Sequence, residues 1–319
     1  MKNSWKELVL AFLLAWGMPW VVTAAAQVAF GQEQVQETQP ADPVQTQPDT
    51  RETILVWMDN GCVEMELTEY LTGVLISEMP GSFHIEAKMA QAVVARTYTL
   101  RRSGGTDKHP GTVCTESSCC QGYLDPDAFQ DREAVELARQ AVEATEGLVL
   151  TYEGELIDAT YFSCSGGMTE DAVAVWGTDV PYLQSVDSPG EEIAAHYTDT
   201  VHFTKEQLES ALGVTLKGSA ASWIGMVTYT QGGGVASMVI GGKLLRGTEL
   251  RSALGLRSTA FSVEADAGGI TFTTKGYGHR VGMSQYGAQA MALGGSSFDQ
   301  ILAHYYSGTS LTQWSVENE

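Results

Sequence analysis

Basic side chains are scarce in this 319-residue chain: 18 Lys and Arg stand against 39 Asp and Glu, a net charge of −21. So acidic a surface disfavours nucleic acid or another polyanion as a tightly held partner. Cysteine is sparse too. The five, Cys62, Cys114, Cys119, Cys120 and Cys164, form an odd set with three crowded into seven residues. That spacing is poor for a disulfide framework and leaves local metal binding as the competing explanation. Internal repeats are lacking, and helices and strands follow no βαβ rhythm, which argues against a doubly wound parallel sheet.

A long apolar run occurs once, from Leu8 to about Phe30, behind Lys2 and Lys6. It is near the length that spans a bilayer and long for the core of a signal peptide. Pro19 and the small residues at 24–26 leave cleavage open. Residues 1–30 are therefore expected to be a membrane anchor or a signal segment, with the lysines inside and the body of the chain outside. Residues 31–52, rich in Gln, Pro, Thr and acids, read as a disordered linker. Residues 53–319 read as the folded domain.

Within it, "ILVWM" and "CVEMEL" flank Asp59-Asn60-Gly61, a strong hairpin signal. Three helices follow by periodicity: one capped by Thr68 with Leu71, Val74 and Leu75 as its stripe, one capped by Ser82 with Ile85, Met89, Ala92 and Val93, and one opened by Asp131 and closed by Gly147. Residues 148–163 read as two strands about a Glu-Gly turn, 204–213 as a short helix, and 226–242 as a strand pair. The mixed order predicts an α+β fold of helices and antiparallel strands, in one lobe or in two around a substrate cleft.

Glu78 lies seven positions beyond Leu71, four beyond Val74 and three beyond Leu75, so it shares their buried face. Pro80 stops the helix and leaves the carboxyl at a helix end, where a cleft can reach it. Removal from water raises a carboxyl pKa, the property that a general acid needs. Spacing alone leaves open a structural ion pair, for which Arg96 on the second helix is the candidate partner.

His109, Cys114, Cys119 and Cys120 offer one imidazole and three thiols in a short loop, a donor set suited to zinc. Free thiols, or a bridge such as Cys114 to Cys120, are the alternatives. Near the C-terminus, glycines 276, 278 and 282 permit close backbone approach, Ser284 can cap a helix, and His279, Ser284 and Gln285 form a polar cluster suited to sugar hydroxyls and acetamido groups.

The run from Leu67 to Arg102, which contains "SEMPGSF", resembles the signature of the sporulation stage II protein D family. "VCTESSCCQGY", "SGGMTE", "PYLQSVDSP", "GYGHRVGMSQYGAQAMA" and "ILAHYYSGT" carry the resemblance on to residue 309. The family's members are membrane-anchored lytic transglycosylases that cut peptidoglycan glycan strands.

The resemblance implies that Glu78 is the catalytic acid and that residues 53–319 are a peptidoglycan-cleaving domain outside the cell membrane. Arg96, Tyr98, Ser165, Thr169, His279, Ser284 and Gln285 would contact substrate. A structural rather than catalytic zinc would sit on His109, Cys114 and Cys120, with Cys119 able to substitute or assist. It also implies strands already stripped of stem peptides, a partner amidase and a membrane scaffold protein in an engulfment complex. The rival it leaves is a non-catalytic wall-binding protein that stimulates an N-acetylmuramoyl-L-alanine amidase. A zinc hydrolase is a third reading, weakened by the absence of a His-Glu helical motif. Three positions depart from the family pattern: Phe162, Cys164 and Arg280.

Overall fold

The computed structural model describes residues 52–58, 61–102 and 113–314. The expected membrane segment and the linker up to residue 51 lie outside the described residues. No helix among the described residues is long and apolar enough to cross a membrane. The fold is α+β, as the mixed order of elements predicts.

Strand β1 (Thr53–Met58) pairs antiparallel with β2 (Gly61–Glu66), so the expected hairpin forms, and β3 (Val113–Cys114) joins β1 in parallel. Helix α1 (Leu67–Glu78) follows β2 directly. Its first N–H groups need partners, and Leu67 finds one in the Glu52 carbonyl at 2.8 Å. Thr68 therefore lies inside the helix instead of capping it. Nor does Ser82 cap α2 (Ile85–Arg102): His84 stands immediately before that helix, and its Nδ1 accepts from Glu86 N–H at 3.2 Å. Asp131 does cap α3 (Arg132–Ala144), accepting from Ala134 N–H at 3.0 Å.

Helix α2 is buried along most of its length, with apolar clusters on two sides. Val74, Leu75, Ala92, Ala95, Val135 and Val142 join α1, α2 and α3. Val93, Val94, Ala288, Ile301 and Leu302 join α2 to α7 (Gln285–Leu293) and α8 (Phe298–Tyr305). Strand β4 (Leu148–Tyr152) turns through Glu153 and Gly154, both with positive φ, into β5 (Glu155–Leu156), and β14 (Ser310–Gln313) pairs along its other edge. The short β6 (Tyr161–Phe162) lies parallel to β13 (Met283–Ser284), and α4 (Ala172–Trp176) follows β6 in the chain.

A second lobe is inserted between residues 198 and 275. Strands β7 (Thr198–Thr204), β11 (Phe261–Ala265) and β12 (Gly269–Lys275) form one sheet; β8 (Ile224–Tyr229), β9 (Val235–Ile240) and β10 (Lys243–Arg246) form another. Leu208 of α5 (Lys205–Leu212) and Leu250 of α6 (Gly247–Leu254) pack with Ile240, Ile270 and Phe272 as a separate core. The strand pair expected at 226–242 is β8 and β9.

Arg280 fastens this lobe to the body. It adopts φ +70°, the left-handed region where glycine is at ease. The side chain supplies what offsets the strain. It is 1% exposed and pairs with Glu170 at 2.8 Å. It also donates to the carbonyls of Ser165, Met168 and Gly232, each at 2.7 Å. Glu170 in turn accepts from Gly234 N–H and Thr230 Oγ1 at 3.0 and 2.8 Å, so both charges are held by body and lobe together. Removing one partner from a buried ion pair leaves the other charge stranded. Arg280→Ala is expected to lower unfolding free energy by about 3–5 kcal/mol, measured by urea titration; an effect under about 1 kcal/mol would contradict this account of the junction.

Candidate active site

Glu78 is the last residue of α1. Met79 is extended at φ −122°, ψ 134°, as expected of a residue before proline. The helix cannot continue, and the half-buried carboxyl is left at its end. A glycine in the middle of the same helix brings its partner. The 115–124 loop runs against α1 at Gly73, whose carbonyl accepts from Leu124 N–H at 3.2 Å. A β-carbon at Gly73 would lie 2.2 Å from the Tyr123 ring, so only glycine permits the approach. With the loop so placed, Gly122 N–H donates to Glu78 Oε1 at 2.8 Å. Gln285, first residue of α7, stands with Nε2 3.4 Å from Oε2.

Removal from water raises the Glu78 pKa above the usual carboxylate range, and the hydrogen bonds from Gly122 and Gln285 oppose that only in part. The Arg96 ion pair does not form. Arg96 is buried, and its guanidinium donates to the Val142, Thr145 and Leu148 carbonyls at 2.9, 2.6 and 3.2 Å, closing the C-terminal end of α3. It serves the scaffold and does not reach the site.

Two cavities meet at Glu78. One, of about 380 Å³, is bordered by Tyr98, Arg102, Tyr161, His279 and Gln285. The other, of about 540 Å³, is bordered by Ser77, Glu116, Ser117, Gly122 and Tyr123. Both belong to the body: no residue of the inserted lobe lines either, so the cleft is not formed between the lobes. A chain-like ligand lying along both would cross the carboxyl. Glu116, the other acid on this groove, is exposed.

His279 sits edge-on to Phe162, ring centres 5.5 Å apart, and tilted against Trp176 at 5.4 Å. Burial lowers its pKa to about 4, and its Nδ1 accepts from Val281 N–H at 3.2 Å. At neutral pH it is an uncharged hydrogen-bonding group on the wall. Tyr98 lies on the same wall, its pKa pushed up to about 12 by burial, with its hydroxyl 3.5 Å from the Cys119 carbonyl. Of the expected substrate contacts, Tyr98, His279 and Gln285 thus line the cleft.

Ser165, Thr169 and Ser284 do not. All are fully buried. Thr169 exchanges hydrogen bonds with the Val186 backbone at 2.8 and 3.3 Å. Ser165 donates to Glu191 Oε2 at 2.7 Å, while Ser284 both donates to Glu191 Oε1 and caps α7 through Gly287 N–H. Sequence reasoning missed Glu191, and with it Gln121 and Tyr161, which bond each other at 3.1 Å beside the cleft. Nothing around Glu191 in the sequence signals that it is buried. Tyr161, by contrast, could be suspected, since it adjoins a family block.

The Sγ atoms of Cys114, Cys119 and Cys120 lie within 4.8 Å of one another, and no disulfide joins them. Tetrahedral zinc with Zn–S of about 2.3 Å would hold sulfurs about 3.8 Å apart, so the trio fits that ion. Burial pushes the Cys120 thiol up to about 12; a bound cation would favour the thiolate instead. His109, the remaining expected ligand beside Cys114 and Cys120, lies outside the described residues. Cys119 and Cys120 donate their N–H groups to the Glu116 carbonyl at 3.0 and 2.8 Å, in the same loop that delivers Gly122.

A β-carbon on Gly122 would lie 2.6 Å from Ser77 Oγ and 3.1 Å from Glu78 Oε1. Gly122→Ala should displace the carboxyl from the N–H that opposes burial and so raise the Glu78 pKa further, read by NMR titration, with little change in melting temperature. An unchanged titration would remove Gly122 from the site.

Residues 60–152 match the family model described as Stage II sporulation protein (SpoIID). The chain is 37% identical over 289 residues to Stage II sporulation protein D of Bacillus amyloliquefaciens, covering 88% of this chain and 83% of that one. It is 39% identical over 257 residues to Stage II sporulation protein D of Bacillus subtilis (strain 168), covering 77% and 74%. It is also 32% identical over 304 residues to a protein of that strain named Amidase enhancer, covering 76% of this chain and 40% of the relative. Each of the first two matches extends well beyond the Glu78 region into the rest of the chain. The chain belongs to the stage II sporulation protein D family.

Proposed function

We propose that this protein is a peptidoglycan lytic transglycosylase that cleaves between N-acetylmuramic acid and N-acetylglucosamine. The observation that carries the reading is Glu78: a half-buried carboxyl of raised pKa, held by neutral donors where two cavities meet. In its protonated form it gives its proton to the glycosidic oxygen as the bond to the muramoyl C1 breaks. The resulting carboxylate takes the proton from the muramoyl 6-hydroxyl as that oxygen closes on C1, leaving a 1,6-anhydro end. One carboxyl, used twice, suffices, whereas a hydrolase ordinarily needs a second to activate water. Gly122 N–H and the Gln285 amide would hold the carboxyl between the two steps, and His279 and Tyr98 would present neutral hydrogen-bonding groups to the sugars.

Zinc on Cys114, Cys120 and Cys119, with His109, would pin the 115–124 loop and so fix Gly122; it is needed for no bond-making step. The body of the chain would work outside the cell membrane, tethered through residues 1–30 or released by their cleavage. Its partners would be an amidase that strips stem peptides and a membrane scaffold protein during engulfment. The relative named Amidase enhancer supports a second reading, a wall-binding protein that stimulates such an amidase without cutting glycan.

Digestion of stripped glycan strands, followed by mass spectrometry, separates these readings. Anhydro ends are expected from the native chain, and Glu78→Gln should lower their rate of formation by about 10²–10⁴-fold. Absence of anhydro ends from the native chain would leave the enhancer reading standing; reducing ends would point to a hydrolase, with Glu116 the first place to seek its base. Because the acid must start protonated and burial raises its pKa, the rate should hold above the pH at which an ordinary carboxyl ionises, then fall as pH rises through the Glu78 value. A rate that instead climbs through that range contradicts the acid role.

For the metal, elemental analysis should find zinc in the native chain and not in Cys114→Ser. Stripping it should lower the melting temperature while leaving any residual product anhydro-ended. A chain that holds no zinc as purified overturns this part.

A further inference from the structure

The cleft contains a cation that the acid chemistry at Glu78 does not use. Arg102, the last residue of α2, borders the 380 Å³ cavity together with Glu78, Gln285 and His279. Its guanidinium lies over the Tyr98 ring, 4.4 Å from the ring centre, and that ring is itself fixed at the cysteine loop. Nη2 contacts Asp158 at 3.1 Å, but the pair is about one-third exposed, 32% and 38%, so it is a weak competitor. Nε is shielded from solvent and has no hydrogen-bond partner. No other described residue lining either cavity is a Lys or Arg, and His279 is uncharged at neutral pH. A fork of N–H donors with one arm lightly held is therefore the cleft's only fixed positive charge among the described residues, in a chain of net charge −21.

Hydroxyl and acetamido groups do not call for a guanidinium; a carboxylate does. A glycan strand carries one such group per disaccharide, on the lactyl ether of the muramoyl residue, and only when no stem peptide is attached. With the peptide in place the same carbon is a neutral amide bearing a bulky chain. We infer that Arg102 binds the free lactyl carboxylate of a muramoyl residue and is the side chain by which the cleft tells the stripped strands that the resemblance implies as substrate from peptide-bearing ones. The inference rests on the reading of the cleft as a glycan site.

The test separates binding from cutting. Full-length chain carrying Glu78→Gln is titrated with stripped glycan strands and with the same strands after conversion of their lactyl carboxylates to methylamides, neutral and nearly isosteric. The carboxylate form should bind about 10- to 100-fold more tightly, as for a hydrogen bond to a charged group. Adding Arg102→Gln should bring the ratio close to one, chiefly by weakening the carboxylate form, whereas Arg102→Lys should keep part of it. A ratio near one before Arg102 is changed, or a ratio unmoved by Arg102→Gln, overturns the inference. Should Arg102→Gln fail to fold, Arg102→Lys serves: a point charge in place of the fork is expected to lower the ratio while keeping it above one, and an unchanged ratio overturns the inference. Anhydro ends are scored separately on the native chain, so their absence beside an intact ratio counts against the lytic reading alone.

Discussion

A buried carboxylate organises the polar interior of this protein. Glu191 is fully enclosed and accepts from the hydroxyls of Ser165, Ser188 and Ser284, the thiol of Cys164, and the N–H groups of Gly166 and Gly167. So many donors are what a buried charge requires if it is to remain inside. They come from segments far apart in the chain, and the start of α7 is fixed as a result. Ser284 caps that helix, and Gln285, the next residue, then reaches Glu78. Cys164, one of the three departures from the family pattern, donates from its thiol to Glu191 at 3.4 Å.

The acid is held from the other side by backbone fit. Gly73 lets a loop lie against α1, and Gly122 brings its N–H to the carboxyl without a side chain in the way. The cysteine trio belongs to that same loop, so a metal held there would act on the loop's position. Arg280 plays the corresponding part for the inserted lobe. The lobe is tied to the segment carrying His279 through Gly232, Gly234 and Thr230, which bond the Arg280–Glu170 pair, and it contributes nothing to the lining of the cleft.

Much of the scaffold was legible in the sequence. The hairpin, the Asp131 cap, the turn at Glu153-Gly154 and the helix before Pro80 follow from local rules of propensity and stereochemistry, and the structure has them. The cap assignments to Thr68 and Ser82 failed because a carbonyl and an imidazole nearby satisfied the helix ends first. The substrate contacts divided the same way. Tyr98, His279 and Gln285 reach the cleft, whereas Ser165, Thr169, Ser284 and Arg96 bind the protein's own backbone and carboxylates. A serine hydroxyl that caps a helix and one that meets a sugar look alike in a sequence.

What the sequence determined by itself was the position of the acid. Proline after Met79 ends the helix, and the apolar stripe before it puts Glu78 on the inner face; both are properties of a few consecutive residues. Only the tertiary structure decided what surrounds it: Gly122 from 44 residues away, Gln285 from 207, and a cleft wall where Arg102 stands and Arg96 does not. The physical reason is range. Helix ends are set by local sterics and hydrogen bonding, but dielectric environment, charge pairing and access depend on segments that meet only when the chain has folded.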